Sequence, residues 1–123
     1  MIVRPTEAEL AILRILWQRE PCTVREIHEC LENKDVRYTT TLKQLQVMLD
    51  KGLVSRDDTS RSHLYRSAIS EAAVQTNLLD HLLQYAFGGS TSKLLVRALD
   101  KTPLPPDELK ALKALIEAKE SGE

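Results

Sequence analysis

The chain has 123 residues, 42% of them apolar and 28% charged, with a formal net charge of −1. That is room for one domain and an appendage, with the balance of a globular protein. No apolar run reaches the ~18 residues of a membrane span, and MIVRPTEAEL lacks a signal peptide's apolar stretch and cleavage site, so a cytoplasmic location without membrane insertion is expected.

Thr6 and Glu9 have the spacing of a capping box, which predicts a helix from there to about Arg19 with Leu10, Leu13 and Trp17 on one face and Ile12 and Leu16 beside them. Pro21 stops it. Thr23 and Glu26 repeat the box and open a short helix to about Glu32, with Val24, Ile27 and Leu31 on its apolar face. Asn33, Lys34 and Asp35 read as a turn. A third helix runs from about Thr39 to a glycine stop at Gly52. Its buried stripe is expected to be Leu42, Leu45 and Leu49, with Met48 alongside.

After Gly52 the pattern changes. Leu53–Arg56 and His63–Arg66 read as two short strands around a polar hairpin loop, residues 57 to 62. Three helices and a hairpin are the order of a winged helix. A fourth helix is expected from 71 to 87 with Ser70 as its cap, broken by Gly88-Gly89-Ser90; a fifth from 92 to 100, broken by Pro103, Pro105 and Pro106; and a sixth from Asp107 to Lys119. The expected fold is mainly α: a winged helix-turn-helix of three helices and a two-to-three-stranded wing over residues 1–70, then a three-helix dimerisation arm over 71–123.

The net charge is an average of unlike parts. From Lys34 to Arg66 there are seven basic side chains against four acidic ones, net +3 in a chain that is negative overall. Local basicity is the feature to weigh for nucleic acid. Cys22 and Cys30 would lie about 10 Å or more apart across the start of the second helix, too far for a disulfide, and both are expected as free thiols.

Enzymatic chemistry has little support. His28, His63 and His81 are scattered, no pair has metal-ligand spacing, and there is no phosphate loop or nucleophile elbow. No cofactor is expected. The third helix is more informative. With Leu42 at the centre of its buried face and a step of about 100° per residue, Thr40, Lys43, Gln44, Val47 and Lys51 fall together opposite. That set suits a major groove: Gln44 can pair with adenine, Val47 can cover a thymine methyl, and Thr40 and Lys43 can reach base edges or phosphates. Arg56 and Arg61 on the hairpin suit phosphates.

The C-terminal helices are rich in leucine. Leu78, Leu79, Leu82, Leu83 and Phe87 are followed by Leu94, Leu95 and Leu99, and then by Leu109, Leu112 and Ile116. About 50 residues cannot bury so much apolar surface internally, and an identical subunit is the commonest cover. These residues are the expected dimer interface.

Taken in order, these segments resemble the penicillinase-repressor family (BlaI/MecI, with CopY). T-E-A-E-L-A-I-L-R-I-L-W (Thr6 to Trp17) is similar to the family's first helix, Y-T-T-T-L-K-Q-L-Q-V-M-L-D-K-G-L-V (Tyr38 to Val54) to its recognition helix and first strand, H-L-Y (His63 to Tyr65) to its second wing strand, and L-P-P-D-E-L (Leu104 to Leu109) to the opening of its last helix. The resemblance implies a homodimer on double-stranded DNA, bound to a short inverted repeat to block transcription. It implies DNA contacts at Thr40, Lys43, Gln44 and Val47, with Tyr38 and Thr39 near the backbone. Some members answer to a membrane metalloprotease sensor through cleavage of an Asn-Phe bond; the matching bond here is Arg97-Ala98. The copper-responsive branch uses a cysteine-rich tail, and no cysteine follows Cys30 in this sequence, which argues against copper control of that kind. Ser60 stands at the wing tip where a glycine is usual. The competing reading is a winged helix used only for protein contacts within a larger assembly.

Overall fold

The computed structural model describes residues 4–122. Its elements run α1 (Glu7–Arg19), α2 (Val24–Cys30), α3 (Tyr38–Lys51), β1 (Val54–Asp57), β2 (Leu64–Ser67), α4 (Glu71–Ala86), α5 (Thr91–Lys101) and α6 (Pro106–Glu120). This is the expected order, with strands shifted by one residue and helix ends by one or two. The chain forms two compact units, Met1–Asp80 and His81–Glu123.

In the first unit both capping boxes form. Thr6 Oγ1 accepts from the Glu9 N–H at 3.1 Å while Glu9 Oε1 accepts from the Thr6 N–H at 2.9 Å. Thr23 and Glu26 repeat the exchange at 3.2 and 2.8 Å. Each box satisfies two amides that a helix start would leave without partners. Gly52 ends α3 with φ of 80°, a left-handed conformation that favours glycine. β1 and β2 pair antiparallel, Arg56 opposite Tyr65, and Cys22 adds an isolated bridge to Tyr65, so the wing has two strands and the beginning of a third.

The core of this unit collects Ile12, Leu13 and Leu16 from α1, Val24 and Ile27 from α2, Leu45 and Met48 from α3, and Leu53, Val54 and Tyr65 from the wing. Trp17 donates its indole N–H to the carbonyl of Ile69 at 3.0 Å, tying α1 to the segment before α4. Cys22 is buried, Cys30 is partly buried, and both are free thiols. This compact unit runs to Asp80, inside α4, and Val74 on the first turns of that helix is buried.

The second unit holds the end of α4, then α5 and α6. Ser90 caps α5 through the Lys93 N–H at 3.2 Å, so the Gly-Gly-Ser segment that stops α4 also starts the next helix. Pro106 opens α6, where its missing N–H costs nothing. No residue of α5 or α6 is buried.

Candidate nucleic-acid interface

The presentation of α3 is set by α2. In the turn between them, Asn33 Oδ1 accepts from the Asp35 N–H at 3.0 Å, and Lys34 reaches back to the carbonyl of Glu29 at 3.0 Å. Thr41, only 1% exposed, shares a hydrogen bond of 2.8 Å with Nδ1 of His28. The His28 ring meets Tyr38 edge-on with centroids 5.6 Å apart, and the Arg25 guanidinium lies 5.3 Å above the same tyrosine. Arg25 and His28 of α2 thus hold the first turn of α3 through an aromatic contact, a cation–π contact and a hydrogen bond.

The far end of α3 is held by α1. Lys51 Nζ lies 2.8 Å from Oε2 of Glu9, whose side chain is almost fully buried. Burial alone would push the Glu9 carboxyl up. The Lys51 ammonium and the Thr6 N–H and hydroxyl outweigh it and hold the carboxyl below its ordinary value.

Thr39, Thr40, Lys43, Gln44, Val47 and Lys51 line one shallow depression, with Thr6 and Glu9 of α1 at its edge. Six of the nine sequence-derived DNA contacts therefore come together. Tyr38 stands apart at the start of α3, and Arg56 and Arg61 lie on the wing.

Three of the nine sit differently from the sequence reading. The buried stripe of α3 is Thr41, Leu45 and Met48, while Leu42 and Leu49 are only partly buried. This turns the helix by roughly 60°, at 3.6 residues per turn, so Gln44 is half-buried on the flank instead of central on the exposed face. Lys51 has its charge engaged by Glu9. Arg56 is paired with Asp58, Nε to Oδ1 at 2.6 Å, and the same carboxylate oxygen lies 2.7 Å from His63 Nδ1. A guanidinium already met by a carboxylate presents little net charge.

The rotation also exposes a residue the sequence reading missed. Gln46 is exposed beside Lys43 and Val47; a wheel centred on Leu42 places it next to the core. The missing signal was the burial of Thr41, a polar residue whose hydroxyl is satisfied only once His28 is brought beside it.

Among the described residues no three His, Cys, Asp or Glu side chains are grouped to hold a metal ion, and no helix is long and apolar enough to cross a membrane.

A family-wide sequence profile for the penicillinase repressor matches residues 5–118. The chain belongs to the penicillinase-repressor family. Penicillinase repressors are transcriptional repressors, not enzymes. The transcriptional regulator BlaI of Mycobacterium tuberculosis is 32% identical over 124 residues, covering 98% of this chain and 88% of that one. The methicillin resistance regulatory protein MecI of Staphylococcus aureus is 20% identical over 115 residues, covering 93% and 94%. Among solved structures, the DNA-binding domain of the repressor BlaI matches with a TM-score of 0.52 at 20% identity, over 59% of this chain and 90% of that domain. That likeness is one of fold, and it makes the first unit a winged helix.

Proposed function

We propose that this penicillinase-repressor family member is a DNA-binding repressor that acts in the cytoplasm as a homodimer on a short inverted repeat. The observation that carries the reading is the exposed face of α3, where Thr39, Lys43, Gln46 and Val47 stand together on a helix braced at both ends. A helix of this kind fits a major groove, and its mixture of amide, ammonium, hydroxyl and methyl groups matches the chemistry of base edges. Relatives whose names describe regulators, and a DNA-binding domain of the same fold, support it.

The homodimer rests on the second unit. Leu82, Leu95, Leu99, Leu109, Leu112 and Ile116 are all exposed, and Val96 and Leu115 join them. Leu78, Leu83, Phe87 and Leu94 are only half covered. An isolated set of short helices with this much apolar surface in water would be marginal, and a second copy of the same surface covers it symmetrically. Residues from 71 onward are thus assigned to dimerisation, and the preceding residues to DNA.

The test is an electrophoretic mobility assay of the full chain on the promoter region of its own gene against a scrambled duplex, over a range of salt. Preferential binding that weakens steeply with salt is the expected result. Equal retention of both duplexes, or none of either, would refute the reading.

A further inference from the structure

Adjoining the depression just described, a second groove of about 610 Å³ runs between α1, the α2–α3 turn and the first turns of α3. Ala8 and Ala11 keep the α1 wall low, and Ile15, Leu31 and Val36 make much of the lining apolar. Arg14 and Arg19 stand along α1 at its rim against a single carboxylate, Glu32. The Arg19 guanidinium is steered to the end of the groove, Nη1 lying 2.7 Å from the Cys30 sulfur. Thr40 and Gln44 form the opposite wall, and both also line the depression. Two side chains of α3 therefore separate the two hollows.

We propose that this groove binds a small amphiphilic anion, an apolar body with a carboxylate or similar head, and that its occupancy changes how α3 engages DNA. The size is that of a small-molecule site, a few hundred to about 1,000 Å³. The apolar lining takes the body. The two guanidiniums, always charged and able to grip an oxyanion through two N–H groups, select the head. The coupling follows from the shared wall. An occupant in contact with Thr40 and Gln44 fixes their rotamers and so biases the face that DNA meets. By linkage, DNA must then alter the affinity of the occupant by the same factor. The coupling rests on the DNA-binding reading; the binding site itself does not.

The probe is anilinonaphthalene sulfonate, an apolar anion that fluoresces on entering a dry site, with neutral phenylnaphthylamine as its uncharged counterpart. The full chain is expected to bind the sulfonate saturably, one per chain. Ala11→Phe, which fills the groove, should weaken both probes at least about ten-fold, a readily measured change in affinity. Arg14→Gln combined with Arg19→Gln alters only surface side chains and should weaken the sulfonate alone. Saturating duplex DNA should shift the sulfonate titration of the wild-type chain. Circular dichroism checks that each variant is folded, and the arginine pair decides the matter if Ala11→Phe is not. Sulfonate binding by the arginine variant as tight as by the wild type, or none by the wild-type chain, would overturn the site. Groove binding indifferent to bound duplex would overturn the coupling. A chain that retains no duplex at all speaks against the DNA reading and leaves the probe titrations to decide the site.

Discussion

Lys51 Nζ and Glu9 Oε2 lie 2.8 Å apart, closing an ion pair between the last turn of α3 and the first turn of α1. Glu9 also completes the capping box with Thr6, so one buried carboxylate joins a local helix start to a contact 42 residues away.

Replacing Glu9 with Gln keeps the shape and removes the charge. We expect a loss of about 1–2 kcal/mol in urea unfolding at neutral pH, the range for a hydrogen bond to a charged group combined with a weakened cap. The carboxyl is depressed in the folded state, so the unfolded chain takes up the proton first as pH falls. The stability contributed by Glu9 is then fully present above its ordinary value of 4.5 and drains away below it, as pH falls through the lowered folded value. The gap between wild type and Glu9→Gln should be constant from pH 6 to 8 and should close at the acid end, about two pH units or more below neutrality. A gap that widens on acidification would mean that Glu9 is not held ionised.

Thr41→Val is nearly isosteric and leaves His28 without its partner. A cost of about 1 kcal/mol is expected, the net worth of one hydrogen bond plus the penalty for the orphaned ring nitrogen. Because His28 also touches Tyr38, the variant should loosen the first turn of α3, read as faster amide hydrogen exchange there than in α1. Uniform protection across both helices would remove the bracing role.

On DNA, Lys43→Ala, Gln46→Ala and Val47→Ala test the exposed face. On an operator duplex a base contact is worth about 1–3 kcal/mol, with little effect on scrambled DNA. Arg61→Ala, at the exposed wing tip, should weaken both duplexes alike and lower the salt slope by about one phosphate's worth. Arg56→Ala should do less than Arg61→Ala, since Asp58 already answers its charge. Titrations of both duplexes at several salt concentrations separate these outcomes; a larger effect from Arg56 would reverse our assignment of the wing.

Leu95→Glu with Leu99→Glu places two charges one turn apart on α5, where both leucines are about half exposed at 48% and 49%. The double variant should sediment as a monomer at micromolar concentration and keep the Glu9-dependent stability of the first unit. A wild-type chain that is itself monomeric under those conditions would contradict the dimer.

Most of the fold was legible because its signals are local. Two capping boxes, a glycine stop and four prolines mark the helix ends without reference to tertiary structure. The face of α3 was only partly legible. Leu42 and Thr41 compete for the core, and hydropathy favours leucine; the outcome turns on His28, thirteen residues earlier, which makes the threonine hydroxyl inexpensive to bury. The ion pairs of Lys51 and Arg56 were not legible for a related reason. A basic side chain counts as free in a sequence, but Glu9 comes from the opposite end of the unit, and Asp58, though only two residues from Arg56, reads as loop until the hairpin closes. The apolar surface of the second unit was legible from its run of aliphatic residues, Val96 and Leu115 among them, and these side chains are exposed on α5 and α6.

The pairing of Arg56 with Asp58 has a consequence for how a DNA-reading head would search a chromosome. Attraction to arbitrary duplex grows with each cation free to displace a counterion, while the sites to be ignored outnumber the true one by about a millionfold or more. A wing that neutralises one of its own arginines holds the protein less firmly on every wrong sequence. It lowers the background without touching the residues of α3, and so shortens the time lost on DNA that carries no message.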